Sequence, residues 1–117
     1  MGKKLLYPFG LFHEGELMAV VLVKNIDWRI PKCELGYFID QSKEGKGIMT
    51  VLVNNTLAYC FDELKMEKVF LRISLENMAS IKIAEKTGFE KEGLLRKEFK
   101  TETGELIDVL YYGKVKS

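Results

Sequence analysis

The sequence of 117 residues has few of the residues that mark a metal site or a disulfide scaffold. It contains two cysteines, Cys33 and Cys60, and one histidine, His13, at spacings that fit neither zinc binding nor a disulfide framework. We therefore expect no bound metal, reduced cysteines that fill the core, and a cytoplasmic setting. No apolar run approaches the length of a membrane span or of a signal peptide. The net charge of +1 gives no strong attraction to nucleic acid or to acidic membranes.

The composition is that of a small globular domain. Hydrophobic residues make up 47% and charged residues 30% of the chain, and the length argues for one domain over residues 1–117. Apolar and β-branched runs predict strands at residues 5–12, 17–23, 33–40, 68–75, 89–100 and 105–116. Helices are predicted at residues 47–64 and 77–88. This order predicts an α/β (α+β) fold with a mixed, mostly antiparallel sheet, whose first three strands form a meander.

Both predicted helices carry local signals. The first has apolar residues at helical spacing on a broad face, which are Ile48, Leu52, Leu57, Tyr59, Phe61 and Leu64. The second begins after Asn77, a favoured N-cap residue, and ends at Gly88, a favoured C-cap residue.

The stretch DQSKEGKGIMT, residues 40–50, lies between a predicted strand and the first helix. Gly45 and Gly47 would let the backbone approach an anion closely, and the helix start would favour its negative charge. Lys43 and Lys46 could add positive charge at the rim. The stretch has neither the Walker pattern nor G-x-G-x-x-G, so the residues alone leave open an anion site or a plain turn.

Three segments occur in an order that identifies a family. They are ELGYFID, EGKGIMT and LRISLENMASIKIAEKTGFEKEGLLRKEF. Their order and separations resemble the GNAT acetyltransferases, and within them the ribosomal-protein-alanine (RimJ/RimL-like) N-acetyltransferases, over residues 16–115. The resemblance implies the GNAT fold, acetyl-coenzyme A as cosubstrate, and an amine acceptor that attacks directly. The acceptor is either a protein N-terminus or a small amine.

The resemblance also implies residues that hold the cosubstrate. Backbone N–H groups would bind the coenzyme A pyrophosphate at Glu44, Gly45, Lys46, Gly47, Ile48, Met49 and Thr50. The preceding strand, at Tyr37, Phe38 and Ile39, would pair with the pantetheine arm like an added strand. One of its N–H groups would polarise the thioester carbonyl. Ser42 and Glu44 stand where the family pattern often has other side chains.

The remaining roles come from the last segment. In this resemblance Asn77 would hydrogen-bond the pantetheine, and Ser80 would donate to the departing thiolate. Many acetyltransferases of this fold have a tyrosine at the position of Ala84 as general acid for the departing thiolate. The RimL-like branch lacks that tyrosine too. Glu98 would take the proton of the amine, because a protonated amine is not a nucleophile.

Simpler interpretations of these residues stay open. Asn77 could be only an N-cap, Ser80 a surface hydroxyl and Glu98 a solvated carboxylate, and core packing would explain Tyr37 or Phe38.

Relatives carry one more strand and two helices before the point where this chain begins, so we expect a short GNAT domain. Its uncovered sheet face and edge predict a homodimer. The alternative function is a truncated, non-catalytic coenzyme A-binding or interaction module, and a plain nucleotide-binding domain is a third reading.

Overall fold

The structure, a computed structural model, describes residues 7–13, 16–39 and 47–117, which form one sheet and two helices. The elements in chain order are β1 (Tyr7–His13), β2 (Glu16–Asp27), β3 (Lys32–Ile39), α1 (Ile48–Asp62), β4 (Lys68–Ser74), α2 (Met78–Lys86), β5 (Glu90–Lys100) and β6 (Leu106–Val115). The predicted order of strands and helices is confirmed. Neither helix of the described ranges is long and apolar enough to cross a membrane.

The six strands lie in the order β1-β2-β3-β4-β6-β5. Strands β1, β2 and β3 form the predicted antiparallel meander, and β5 and β6 form an antiparallel hairpin. Only β3 and β4 are parallel, and they pair only where residues 32–34 of β3 meet residues 68–70 of β4. Beyond that point the two strands separate, so a wedge opens in the middle of the sheet between residues 35–39 and 71–74.

Both helices pack on one face of the sheet. The buried residues of α1 recur every three or four positions and are Met49, Leu52, Val53, Thr56, Leu57 and Cys60. They meet alternate residues of β2, β3 and β4, including Val21, Val23, Leu35, Val69 and Leu71. This spacing is that of one helix face against a sheet, so the core is a single layer between them.

The predicted apolar face of α1 was partly wrong. Leu52 and Leu57 are buried as expected, and Ile48, Phe61 and Leu64 pack against the core, but Tyr59 does not. The fully buried Met49, Val53, Thr56 and Cys60 were not predicted. The helix is apolar on several sides, so periodicity alone did not select the buried one. Thr56 can be buried because its hydroxyl donates to the Leu52 carbonyl at 2.8 Å.

Strand β2 continues past the predicted end at residue 23. Asn25 has a left-handed φ of 50°, and the pairing with β3 shifts register between Lys24 and Asp27. Asparagine tolerates this conformation better than most residues, so a bulge forms where the sequence indicated a connection. The Asn25 side-chain amide donates to Glu34 Oε1 at 2.6 Å.

The two cysteines fill the core, as predicted. Cys33 on β3 and Cys60 on α1 are free, fully buried and separated by 3.9 Å between their Sγ atoms. The shared S–H···S contact and burial raise the pKa of the Cys33 thiol.

The opposite side of the sheet, called here the second face, carries alternate residues of the strands. These include Lys24, Glu34, Phe70, Arg72, Phe99 and Tyr111, by strand register. The Phe70 and Tyr111 rings stack with centroids 5.0 Å apart, and Phe99 is 47% exposed.

Candidate active site

One cavity of about 590 Å³ lies between the wedge and the two helices and is called here the helix-side cavity. It is formed by the end of β3, the start of α1 and the first turns of α2. It brings together eight predicted residues, which are Tyr37, Phe38, Gly47, Ile48, Met49, Thr50, Asn77 and Ser80. Ile39 ends β3 beside them, and Glu44, Gly45 and Lys46 lie outside the described residues.

The start of α1 is open to an anion. Gly47 takes the N-cap position with a left-handed φ of 73°, and no side chain of the described residues caps the helix. The first turn contains no acidic residue, so the N–H groups of Ile48, Met49 and Thr50 keep their positive end uncompensated. The glycine permits this backbone conformation, which most side chains disfavour.

The start of α2 is capped by Asn77, as predicted. Its Oδ1 accepts a hydrogen bond from the Ser80 N–H at 3.1 Å. The Asn77 amide Nδ2 has no hydrogen-bond partner among the described residues, and the side chain is exposed at the cavity. The N-cap role therefore uses only one end of the amide and leaves its donor free for a ligand.

Tyr37 joins the two sides of the wedge. Its hydroxyl donates to the Ser80 carbonyl at 2.9 Å, which ties β3 to the first turn of α2. Burial raises the pKa of Tyr37 to about 12, and the smaller opposing effect of the hydrogen bond to Ser80 does not cancel this. Tyr37 is therefore a protonated, fixed donor at neutral pH, while Phe38 beside it is 60% exposed and lines the helix-side cavity.

Ser80 lies at the centre of the wedge. Its backbone receives the Tyr37 hydroxyl and donates to Asn77, whereas its hydroxyl makes no hydrogen bond within the described ranges. The residue is half-buried. Ala84, one turn later, is fully buried in the core and offers no donor to the cavity.

A further cavity of about 390 Å³, called here the second-face cavity, opens on the other side of the sheet. Residues of five strands line it, among them Lys24, Gly36, Arg72, Phe99 and Ile107. It shares three residues with the helix-side cavity, which are Tyr37, Asn77 and Ser80. The wedge thus forms two compartments that reach the same side chains from opposite faces of the sheet.

A buried ion pair lies on the second face beside this cavity, which only its Arg72 member lines. Glu34 is 3% exposed and accepts two hydrogen bonds from Arg72, at 2.8 Å from Nε and 3.0 Å from Nη2. The hydrogen bond with Glu34 raises the pKa of Arg72, which stays charged. The third guanidinium contact is to Glu98, at 3.5 Å between Nη1 and Oε2.

Glu98 lies in a bulge of β5. The register with β6 shifts between Leu95 and Phe99, and Lys97 has a φ of 49° with its N–H bonded to Asp108 Oδ1 at 2.8 Å. The Glu98 side chain is 41% exposed and does not itself line either cavity. Its neighbours Phe99 and Arg72 do, so the bulge directs Glu98 to the rim of the second-face cavity.

The sequence reasoning missed several residues of both cavities. Lys82 and Lys86 line the helix-side cavity and are one helical turn apart, which was a readable signal because they follow Met78 at helical spacing. Lys24 and Arg72 had no local signal, since β2 and β4 place them in one wall only after folding.

The chain belongs to the acetyltransferase (GNAT) domain family, which its residues 3–90 match. It is 36% identical over 97 residues to the probable N-acetyltransferase YjcK of Bacillus subtilis, covering 80% of this chain and 54% of YjcK. It is 33% identical over 107 residues to YdaF of Bacillus subtilis, named as a ribosomal N-acetyltransferase, covering 92% of this chain and 58% of YdaF. It is 31% identical over 86 residues to the spermidine N(1)-acetyltransferase of Vibrio cholerae, covering 74% and 50%.

Solved structures agree on the fold. The crystal structure of a probable acetyltransferase is 32% identical with a TM-score of 0.86, covering 95% of this chain and 62% of that one. The GNAT fold and the family resemblance are therefore confirmed. The chain spans between half and two thirds of the length of these relatives.

Proposed function

We propose that this chain is an N-acetyltransferase domain that transfers the acetyl group of acetyl-coenzyme A to an amine by direct attack. The observation that carries the proposal is the meeting of two cavities at Tyr37, Asn77 and Ser80, from opposite faces of the sheet. Two substrates bound in this way can react without a covalent enzyme intermediate, which suits a site without a histidine-activated nucleophile.

The helix-side cavity fits the cosubstrate of this family. The uncapped N–H groups at the start of α1 suit a pyrophosphate, and Lys82 and Lys86 add positive charge on the facing helix. The unpaired edge of β3 at residues 35–39 offers backbone groups to an amide-bearing arm, and the Asn77 Nδ2 group offers one more donor. Acetyl-coenzyme A, when bound, supplies an acetyl thioester.

The place where the two cavities meet, at Tyr37, Asn77 and Ser80, is called here the junction. The catalytic roles fall to residues on either side of it. A backbone N–H at Tyr37, Phe38 or Ile39 would polarise the thioester carbonyl. The Ser80 hydroxyl would donate its proton to the departing sulfur. Glu98, at the rim of the second-face cavity, would accept the proton of the amine directly or through a water molecule.

The acceptor is either a protein N-terminus or a small amine. YdaF is named for a ribosomal substrate and the Vibrio cholerae relative for spermidine, so relatives of similar identity differ in acceptor.

A coenzyme A-binding module without turnover is the second candidate function. It is favoured by the open second face, where Phe99 is 47% exposed and both helices pack on the opposite side.

We also propose a homodimer through the part of the second face around Phe70 and Tyr111, which lies outside the second-face cavity, in a reducing, cytoplasmic setting. The stacked Phe70 and Tyr111 rings offer an aromatic surface, and the free cysteines suit reducing conditions. A second copy is the natural partner because the same patch would meet itself across a two-fold axis. Light scattering at high concentration tests this, and a monomer would contradict it.

The test of the function is calorimetric titration with acetyl-coenzyme A, comparing the wild type with Gly47→Glu. Like charge beside the pyrophosphate costs several kcal/mol, so we expect affinity to fall by about 1000-fold. Gly104→Glu is the matched control, because Gly104 also has a positive φ, of 88°, with open space around it, but lies in the β5–β6 turn. Equal affinities for the two variants would contradict pyrophosphate binding at the start of α1. Release of coenzyme A with added amines then separates an enzyme from a binding module.

A further inference from the structure

We propose that Lys24 makes this enzyme select an acceptor that carries a carboxylate close to its amine. The inference rests on the proposed acetyl transfer and adds the chemical class of the acceptor. Its observations are the position of the Lys24 ammonium, the pairing of the other charges beside the second-face cavity, and the apolar side chains near Lys24.

The Lys24 side chain reaches from β2 over the backbone of β3 at Gly36. A Cβ atom added to Gly36 would stand 3.2 Å from both the Lys24 Cε and Nζ atoms. The absence of a side chain at Gly36 therefore lets the ammonium approach the unpaired edge of β3, one residue before Tyr37. Lys24 is half-buried, so its stem packs against the sheet and its charge faces the second-face cavity.

The other charges beside this cavity are already paired with one another. Arg72 is engaged by Glu34 through two hydrogen bonds and contacts Glu98 through its remaining nitrogen. Glu34 is the cross-strand neighbour of Lys24, but its carboxylate is held by Arg72 and Asn25. Lys24 has no ion pair or hydrogen bond among the described residues, and no carboxylate of these residues lines the cavity. An ammonium group has three donors and no acceptor, so the complement it lacks is an anion.

Apolar side chains stand beside Lys24 in the second-face cavity. Phe99, Ile107 and Val109 line it from the second face, and the polar residues Ser74, Asn77 and Ser80 line the side nearest α2. The wall therefore suits an acceptor with an apolar body, an amine directed to the junction at Ser80, and a carboxylate directed to Lys24. An α-amino acid with an apolar side chain has this chemistry, and so does a peptide with an acidic first residue. A polyamine such as spermidine lacks the anion and would place like charge against Lys24.

The same cation assists the reaction. A positive charge near a protonated amine disfavours the charged form and lowers the pKa of that amine. An acceptor held by its carboxylate at Lys24 would therefore reach the junction with its amine more readily neutral. This effect does not depend on which of the two acceptor sources is used.

The experiment compares L-leucine with L-leucinamide, which share an amine and a side chain and differ in the carboxylate. Binding of each to the coenzyme A-loaded protein is measured by calorimetry, and transfer from acetyl-coenzyme A by coenzyme A release. In Lys24→Met, the ratio of leucine to leucinamide affinity should fall by about tenfold, or about 1.4 kcal/mol. The two amines differ in basicity, but this difference affects the ratio equally in the wild type and in Lys24→Met. It therefore cancels when the two ratios are compared.

Two further variants make the result specific. Lys32→Met removes a charge from the same face, but Lys32 lies over the Phe70 ring at 5.5 Å and does not line the cavity, so the ratio should stay unchanged. Lys24→Arg keeps the charge and should retain the preference for leucine. Peptides that begin with Glu and with Gln form a second matched pair, and their ratio tells whether a protein N-terminus or a free amino acid is preferred.

The outcomes separate the two proposals. Failure to bind acetyl-coenzyme A and coenzyme A would overturn the proposed function. Binding of the cosubstrate, with equal affinity for leucine and leucinamide and for the two peptides, would overturn only the role of Lys24. A uniform loss of rate on all acceptors in Lys24→Met, with unchanged ratios, would also overturn it, because Lys24 would then act on the reaction and not on the choice of acceptor.

Discussion

The helix-side cavity and the second-face cavity meet at the same three residues but are built differently. The first is formed largely by local backbone features: an uncapped helix start at Gly47 and an unpaired strand edge at residues 35–39. The second is formed by side chains from five strands, with a buried ion pair and one unpaired ammonium. A backbone site changes little when side chains change, whereas a side-chain site can be altered one residue at a time.

This difference suits a family with one cosubstrate and several acceptors. Relatives of this chain are named for ribosomal and for spermidine substrates, yet the fold is shared. In the present chain the second face also joins β3 to β4, because Glu34 and Arg72 are held together by two hydrogen bonds between these strands. Three substitutions test whether the two cavities are as separable as their construction indicates.

The largest effect is expected for Glu34→Gln. Breaking a buried pair leaves a charge uncompensated, so the free energy of unfolding should fall by about 3 kcal/mol, as measured by urea denaturation. Affinity for acetyl-coenzyme A should change little in the folded protein. Glu92→Gln is the control, since the Lys68–Glu92 pair is 30% and 39% exposed and should contribute about 1 kcal/mol or less. A parallel loss of cosubstrate affinity in Glu34→Gln would show that the cavities are coupled.

A smaller effect, on rate, is expected for Glu98→Gln. Loss of a general base typically costs about 100-fold in kcat, with KM for acetyl-coenzyme A unchanged. The remaining activity should rise with pH, because the amine then loses its proton without help. Glu102→Gln in the exposed β5–β6 turn is the control. A rate within about threefold of the wild type would assign Glu98 to pairing with Arg72 alone.

The smallest effect is expected for Tyr37→Phe, which removes the hydrogen bond to the Ser80 carbonyl. Its loss should cost about 1 kcal/mol in unfolding free energy and about tenfold in kcat/KM, because Ser80 loses its anchor to β3. Both cavities should be affected, since Tyr37 lines each of them. Tyr111→Phe, which keeps the ring stacked on Phe70, should leave the activity unchanged. Unaltered kcat/KM in Tyr37→Phe would mean that α2 holds Ser80 without the bridge.

The helix-side cavity was largely predictable because its signals are local. The two helix starts are marked by Gly47, just before an apolar helix, and by Asn77, three residues before Ser80. Each signal lies within one turn of the helix that it begins. The buried face of α1 was less predictable, since the helix is apolar on several sides and only the sheet selects Met49 and Val53. The bulge at Asn25 was not predicted, because pairing with β3 continues past a segment that indicated a turn.

By itself the sequence determined the order of the strands and helices, the family, and the glycine at the start of α1. These follow from hydrophobic periodicity, capping residues and backbone preference, all of which act over a few neighbouring residues. Only the tertiary structure decided that the wedge between β3 and β4 forms two compartments, that Tyr37 bridges to Ser80, and that Arg72 is paired with a carboxylate while Lys24 is not. The physical reason is that these contacts join residues distant in the chain, and burial and pairing of a charge exist only after the strands have come together.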